Sequence, residues 1–341
     1  MADEDPNIQE TEEDVHRFEF RATKTQIRRI DQFLVDRIPW LSRNGVQRLI
    51  DDDLVTVNGK PTKPSYKIKA GDLVEMVAPP EPVNDLVPEP IPLDIVYEDE
   101  HFLALNKQAD LMVHPARGRW SGTLVNGLVY YGQKWSTING EWRPGILHRL
   151  DKNTTGIMLV AKSDEAHWRL ARQFERRTIQ KKYMAIVHGV PELLADVIDM
   201  PIGRDRYIRE KQAIRKLENG GKQAITKYEV ERTFAKTGEL KPSSFAKDRH
   251  FAPPPERFSL VRLTPKTGRT HQLRVHMAAI GFPMVGDTMY GGRTFESGDF
   301  RFERQALHAF EITFTHPGTL EEMTLTAPLP GDMQKLIERL E

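Results

Sequence analysis

The chain is 341 residues long, enough for two domains and a sizeable core. It is 39% hydrophobic and 29% charged and has no cysteine, which excludes disulfides and thiolate zinc sites, and no apolar run approaches the roughly 20 residues of a membrane helix. The 49 basic and 49 acidic residues cancel, which taken whole argues against a nucleic-acid binder.

The distribution of charge changes that reading. Residues 1–15 hold seven acids, Asp3, Glu4, Asp5, Glu10, Glu12, Glu13 and Asp14, and no Lys or Arg. This segment reads as a disordered, solubilising acidic tail. It is no secretion signal, because it lacks an apolar stretch, and a cytoplasmic location is expected. Outside it, 49 basic residues face 42 acidic ones, leaving the body at about +7.

Residues 16–78 read as a small compact unit. Ile27, Ile30, Phe33 and Leu34 recur at helical spacing, as do Val46, Leu49 and Ile50, with Ser42 placed to cap the second helix. Leu54, Val55 and Val57 read as a strand entering an Asn58-Gly59 turn. Lys67, Gly71, Asp72, Leu73 and Val74 suggest a second hairpin. Residues 79–92 contain six prolines and read as an extended linker between domains.

From residue 93 the pattern is mixed. Phe102–Leu105 and Gly156–Ala161 read as buried strands. Ser163 can cap a helix reaching about Thr178, with Asp164 and Glu165 in its first turn and Arg176 and Arg177 in its last. Lys182–Val187 and Phe258–Arg262 read as strands. Thr270 can cap a helix that stops at Gly281. Residues 236–257 read as a polar insertion. Strands clustered with helices, without a regular βαβ beat, predict an α+β fold.

Four patterns bear on chemistry. In His148-Arg149-Leu150-Asp151-Lys152, cations and a His flank one carboxylate. Neighbouring cations favour the ionised form, and a fixed ionised Asp can act as nucleophile or base; a lone loop Asp beside Arg is more often a plain salt bridge. A metal reading of His148 and Asp151 lacks a third ligand. In Thr267-Gly268-Arg269-Thr270-His271-Gln272-Leu273-Arg274, a Gly turn before a helix start suits an anion, or is simply a turn with surface arginines. In Lys182-Tyr183-Met184-Ala185, alternation turns Tyr183 inward, as a core residue or as a platform on which a base stacks. Finally, cations cluster over residues 143–182 and 261–276, which suggests a track for a polyanion.

At these residues the chain resembles the RluA/RluD family of pseudouridine synthases. His148-Arg149-Leu150-Asp151 matches the family's HRLD motif, Lys182-Tyr183 its tyrosine motif, and Gly268–His276 its GRTHQLRVH motif. Gly286-Asp287 with Tyr290-Gly291-Gly292, and Arg304–Ala309, match as well. Residues 17–78 resemble an S4 RNA-binding domain, through Arg29-Ile30-Asp31, Leu41-Ser42-Arg43 and Val57-Asn58-Gly59. The resemblance implies a small S4 domain, then a catalytic domain over 93–341 built on a mixed, mainly antiparallel sheet. It implies conversion of uridine to pseudouridine in RNA, large-subunit (23S) ribosomal RNA in the RluD-like branch, with no metal or other cofactor and no membrane partner. The substrate is RNA, free or in a pre-ribosomal particle, and a monomer is expected.

The resemblance also assigns residues. Asp151 carries the chemistry, Arg274 is its ion-pair partner, and Tyr183 stacks beside the uracil. Arg149 fills the space of the extruded base or contacts a phosphate; His148, Leu273 and Arg269 complete the substrate site. Arg28, Arg29, Arg43, Arg48 and Lys60 supply S4 contacts to RNA. The chain departs from the family at Gln108-Ala109-Asp110, where Pro-Ala-Gly is usual, and at Asp51-Asp52-Asp53, where a Gly and often a basic residue are usual. Two rivals stand beside this reading: an idle RNA-binding factor of the same fold, and an Asp-dependent glycosidase acting on free nucleosides.

Overall fold

The computed structural model describes residues 7–10, 16–23, 29–38, 41, 43–79, 86–114, 121–132, 134–140, 143–208, 210–235 and 257–341. Arg28, Ser42 and residues 236–256 of the expected 236–257 insertion lie outside them, and Arg257 begins a strand. The chain divides into two units, Met1–Asp85 and Leu86–Glu341.

The first unit contains β1 (Asn7–Glu10), β2 (His16–Arg21), α1 (Ile30–Arg37), α2 (Arg43–Asp51), β3 (Val55–Val57), β4 (Lys60–Pro61) and β5 (Leu73–Ala78). The strands form one sheet in the order β1-β2-β5-β3-β4. Phe18 and Phe20 alternate inward along β2 and meet Phe33 and Leu34 of α1 and Val46 and Ile50 of α2. Asn58 and Gly59 take positive φ, 51° and 71°, as a tight two-residue turn requires.

Two expectations for this unit are corrected. Residues 7–10 are not a free tail: they pair antiparallel with β2, Ile8 opposite Phe18, because an open edge offers unpaired amides and carbonyls. The segment from Lys67 is not a second hairpin. The Asp72 carboxylate accepts from the Lys69 amide, Asn58 and Tyr66 at 2.8, 2.9 and 2.9 Å, closing a loop. β5 then pairs with β2 and β3.

The second unit contains β6 (Ile95–Glu98), β7 (Phe102–Lys107), α3 (Leu124–Tyr131), β8 (Thr155–Ala161), α4 (Asp164–Arg176), β9 (Gln180–His188), β10 (Ala195–Asp199), β11 (Ile202–Arg204), β12 (Gln212–Ile214), β13 (Ile225–Ala235), β14 (Arg257–Pro265), α5 (Gln272–Ala279), β15 (Phe295–Ser297), β16 (Phe300–Phe302), β17 (Leu307–Thr315), β18 (Glu322–Thr326) and α6 (Gly331–Leu340). Nine strands make one sheet, in the order β10-β13-β14-β9-β17-β8-β7-β6 with β18 beside β17. Only β17 and β8 run parallel, so the sheet is mixed and mainly antiparallel, as expected for an α+β fold. Both faces are covered. α3 and α5 pack on one face through Leu124, Leu128, Leu273 and Met277, and α4 packs on the other through Leu170. That explains why all seven residues of β8 are buried.

Ser163 caps α4 by accepting the Ala166 amide at 3.2 Å. α5 differs from expectation. Its N-cap is His271, in the left-handed region, and not Thr270, because the Gln272 side chain folds back to accept the Arg269 amide at 3.0 Å and tightens the turn. The proline-rich linker is also not free throughout. The Gly122 amide donates to both Glu89 carboxylate oxygens at 2.9 and 3.0 Å, and Asn126 donates to the Val87 carbonyl at 3.0 Å.

Asp53, one of the three acids at the end of α2, sits at φ 57° where glycine is favoured. Asp53→Gly is therefore expected to stabilise the first unit by roughly 0.5–1 kcal/mol, read as a higher urea midpoint; a lower midpoint would refute the strain.

Candidate active site

The sheet register gathers the site. Lys107 of β7 stands opposite Gly156 of β8, Gly156 opposite Ala309 of β17, Ala309 opposite Tyr183 of β9, and Tyr183 opposite Leu263 of β14. One row across five strands thus carries Tyr183 and a buried lysine. The loop before β8 brings Asp151 to the same end, and the loop after β14 leads into α5 with Arg274. Gly156 makes this possible. Its φ is 117°, and a Cβ there would lie 2.2 Å from the Ala309 carbonyl oxygen.

A cleft of about 500 Å3 opens at this end. Every catalytic and substrate residue expected from the sequence lines it: His148, Arg149, Asp151, Tyr183, Arg269, Leu273 and Arg274. Arg274 donates from Nη1 to Asp151 Oδ2 at 3.3 Å. Its Nε and Nη2 make a two-pronged pair with Asp287, both at 2.7 Å. Asp287 is almost wholly enclosed, while a fifth of the Asp151 side chain stays exposed. The buried carboxylate therefore holds the guanidinium, and the guanidinium presents its remaining edge to the open one.

His271 completes the wall, backed by the buried Tyr290. His271 Nε2 lies 3.8 Å from Asp151, and its Nδ1 shares a 2.8 Å hydrogen bond with the Tyr290 hydroxyl. The Tyr290 ring lies under the Arg274 guanidinium, 4.9 Å from its centroid. Burial lowers the His271 pKa, opposed by the Asp151 charge. Burial, reinforced by Asp151, pushes the Tyr183 phenol well above its ordinary value, so the hydroxyl keeps its proton.

Lys107 sits under the Asp151 loop with no exposed surface. Its ammonium donates to the carbonyls of Gln108, Leu111 and Lys152 at 2.8, 2.9 and 2.9 Å. The last of these pins the residue after Asp151. Burial pulls its pKa down to about 7, with Asp151 opposing. The residues around Gly268 are fixed likewise. Gln272 Oε1 accepts from Thr267 and from the Arg269 amide, and its Nε2 donates to Ile225 and Thr226 on β13.

The structure also qualifies some expected roles. His148 offers the cleft little: Nε2 accepts the Leu159 amide at 3.0 Å, and its ring packs on Phe174 at 4.7 Å. Burial, with Lys181 nearby, takes it to about 3, so it stays neutral. Glu175 also lines the cleft. Asp287, Tyr290, His271 and Lys107 received no role from sequence reasoning. All four stand within recognised motifs or beside them, but only the fold shows whom they touch. In the first unit, Arg29 and Arg43 both reach the buried Asp31 carboxylate at 3.0 Å, joined by Gln47 at 2.7 Å. Arg48 and Lys60 are exposed.

Asp287→Ala leaves the Arg274 guanidinium buried without its main partner. It is expected to cost about 3–5 kcal/mol, seen in thermal unfolding; an unchanged midpoint would show that Asp287 does not hold the arginine. Lys107 gives a pH signature. The folded chain sheds its proton at about 7 and the unfolded chain near 10.5, so between these values the unfolded state binds more protons and stability rises with pH. Relative to Lys107→Met, the parent is expected to gain stability from pH 7 to 10 in urea titrations. A flat difference would contradict the assignment.

The RNA pseudouridylate synthase family model matches residues 101–279, and the S4 domain model matches residues 28–74. The uncharacterized RNA pseudouridine synthase YlyB of Bacillus subtilis (strain 168) is 42% identical over 312 residues, covering 92% of this chain and 94% of that protein. The ribosomal large subunit pseudouridine synthase D of Zymomonas mobilis is 39% identical over 322 residues, covering 92% and 93%. The solved structure of human RNA pseudouridylate synthase domain containing 1 superposes with a TM-score of 0.52 at 26% identity, over 73% of this chain and 94% of that one. The chain belongs to the RNA pseudouridine synthase family, as an enzyme carrying an N-terminal S4 domain.

Proposed function

We propose that this enzyme converts uridines of large-subunit ribosomal RNA to pseudouridine, with Asp151 as the catalytic carboxylate. The observation that carries the reading is the Asp151–Arg274 pair, 3.3 Å apart at the floor of a cleft that Tyr183 also lines. The relative named for the large ribosomal subunit and the S4 domain support the choice of RNA.

The reaction is an isomerisation. The C1′–N1 bond breaks, the uracil turns, and C5 bonds to C1′; the proton leaving C5 is balanced by one gained at N1. Asp151 acts on the ribose, either by attack at C1′ or by removing a proton, and one carboxylate with a fixed counter-ion serves both routes. Tyr183 contributes a neutral phenol and a flat face for the base. A stacked base cannot reach the floor of such a cleft, so the target uridine is flipped or already unpaired. Arg149, exposed at the cleft, contacts the RNA there. The S4 unit adds phosphate contacts through Arg43, Arg48 and Lys60, which weaken with salt.

The test is a pseudouridine map of ribosomal and transfer RNA from cells lacking the gene, rescued by wild type or Asp151→Asn. Specific large-subunit uridines are expected to lose modification and to regain it only with wild type. The purified variant is expected to lose at least about 10^4-fold in rate. Rescue by Asp151→Asn would remove the aspartate from the chemistry, and an unchanged map would favour an idle RNA-binding factor. Release of uracil from free uridine would favour a glycosidase.

A further inference from the structure

A second concavity, of about 740 Å3, opens beside the cleft and shares Gly268, Arg269 and Thr270 with it. It is built by a ribbon separate from the main sheet. β11 and β12 pair antiparallel, and a turn at Leu217–Asn219 folds back so that the Ile202 and Lys222 amides and carbonyls bond each other at 2.9 and 2.8 Å. Gly221 permits that closure, since a Cβ there would lie 2.0 Å from the Arg215 carbonyl oxygen.

Arg204, Arg206, Arg215, Lys222 and Arg269 line this groove, and none of its lining residues is acidic. The neighbouring Asp205 turns its carboxylate to the amides of Tyr207 and Ile208, at 2.9 and 3.0 Å. Two of the guanidinium groups are anchored along one edge: Arg215 donates from Nε to the Arg204 carbonyl at 3.2 Å, and Arg269 from Nε to the Gln223 carbonyl at 3.1 Å. Five cations in one concavity repel one another unless an anion joins them, and a fork anchored on one side is ready for phosphate on the other.

The ribbon is also tied to the catalytic residues. The Gln212 amide of β12 donates to the Tyr290 hydroxyl at 3.0 Å. That hydroxyl bonds His271, whose other nitrogen faces Asp151. Lys211, beside it, lies over the Tyr290 ring at 5.4 Å.

We infer that this groove holds the phosphodiester backbone of the RNA strand that directly adjoins the target uridine on one side, and so sets where along a strand a uridine is read. The inference rests on the reading of the cleft as the uridine site. The shared Gly268–Thr270 loop makes the occupants of cleft and groove neighbours on one strand.

The test uses the full-length protein and the triple variant Arg204→Ala/Arg206→Ala/Lys222→Ala. All three positions are exposed, and circular dichroism confirms the fold. The variant Arg204→Lys/Arg206→Lys keeps the charge. Substrates are a large-subunit ribosomal RNA transcript and short oligonucleotides that end just 5′ or just 3′ of the modified uridine. The triple variant is expected to raise KM for the transcript at least about tenfold, to lower the salt slope of binding by about 2, and to lose little in kcat; the Lys variant restores most of the loss. Shortening one flank, and only one, is expected to raise the wild-type KM similarly and to leave the triple variant unmoved. Equal KM and salt slope for variant and wild type would overturn the groove while leaving the uridine site intact. So would losses that multiply with both truncations. If the wild type forms no pseudouridine in any transcript, the reading of the cleft fails and the inference fails with it.

Discussion

The site depends on how one buried guanidinium is shared. Arg274 has only 8% of its side chain exposed and carries a full charge. A buried cation is costly unless it is paired and its donors are used. Asp287 meets that need from inside with two short hydrogen bonds, which leaves the Nη1 edge for Asp151. Two carboxylates thus share one arginine but have different surroundings. The enclosed one is structural, and the one open to the cleft is available for chemistry. Burial opposes the charge on Arg274, but Asp287 and Asp151 together raise its pKa, so the counter-ion of Asp151 stays charged across the physiological range.

Around that pair, the sheet sets position. Lys107, Gly156, Ala309, Tyr183 and Leu263 lie in one register row, and a slip of one residue in β9 would turn Tyr183 away from the cleft. The parallel β8–β17 pair stands in the middle of this row, where a side chain at 156 would collide with β17. Loops that carry functional groups are precise only when rigid elements hold their ends. Here the Asp151 loop is held by Lys107 beneath it, and the loop into α5 by Gln272.

The zero net charge of the chain conceals a division of labour. Many acids are spent on internal pairs: Asp31 on Arg29 and Arg43, Asp99 on His316, Asp287 on Arg274, Asp332 on Arg304. Cations remain where the surface is concave, in the cleft and along the ribbon beside it. Long-range attraction of a polyanion follows the local field, so a neutral total is compatible with an RNA enzyme. Composition alone argued otherwise because it weighs enclosed and exposed charges equally.

Much of the local structure was legible. The Ser163 cap, the Asn58-Gly59 turn and the buried run of β8 each follow from chemistry within a few residues. The distinctive motifs likewise brought Asp151, Tyr183 and Arg274 forward as candidates, and all three line one cleft. The shift of the α5 cap from Thr270 to His271 was not legible, because it depends on Gln272 bonding to β13, some 46 residues earlier in the chain. Nor were the roles of Lys107, Asp287 and Tyr290, whose partners come from other elements. By itself, the sequence determined the elements, their inward faces and the chemical groups on offer, because helical and strand periods and side-chain chemistry are local properties. Tertiary structure alone decided which carboxylate is enclosed and which is open, and which cations share a groove. Those outcomes rest on pairings such as Arg274 with Asp151 and Arg269 with Gln223, and contacts between residues so far apart leave no local pattern in the chain.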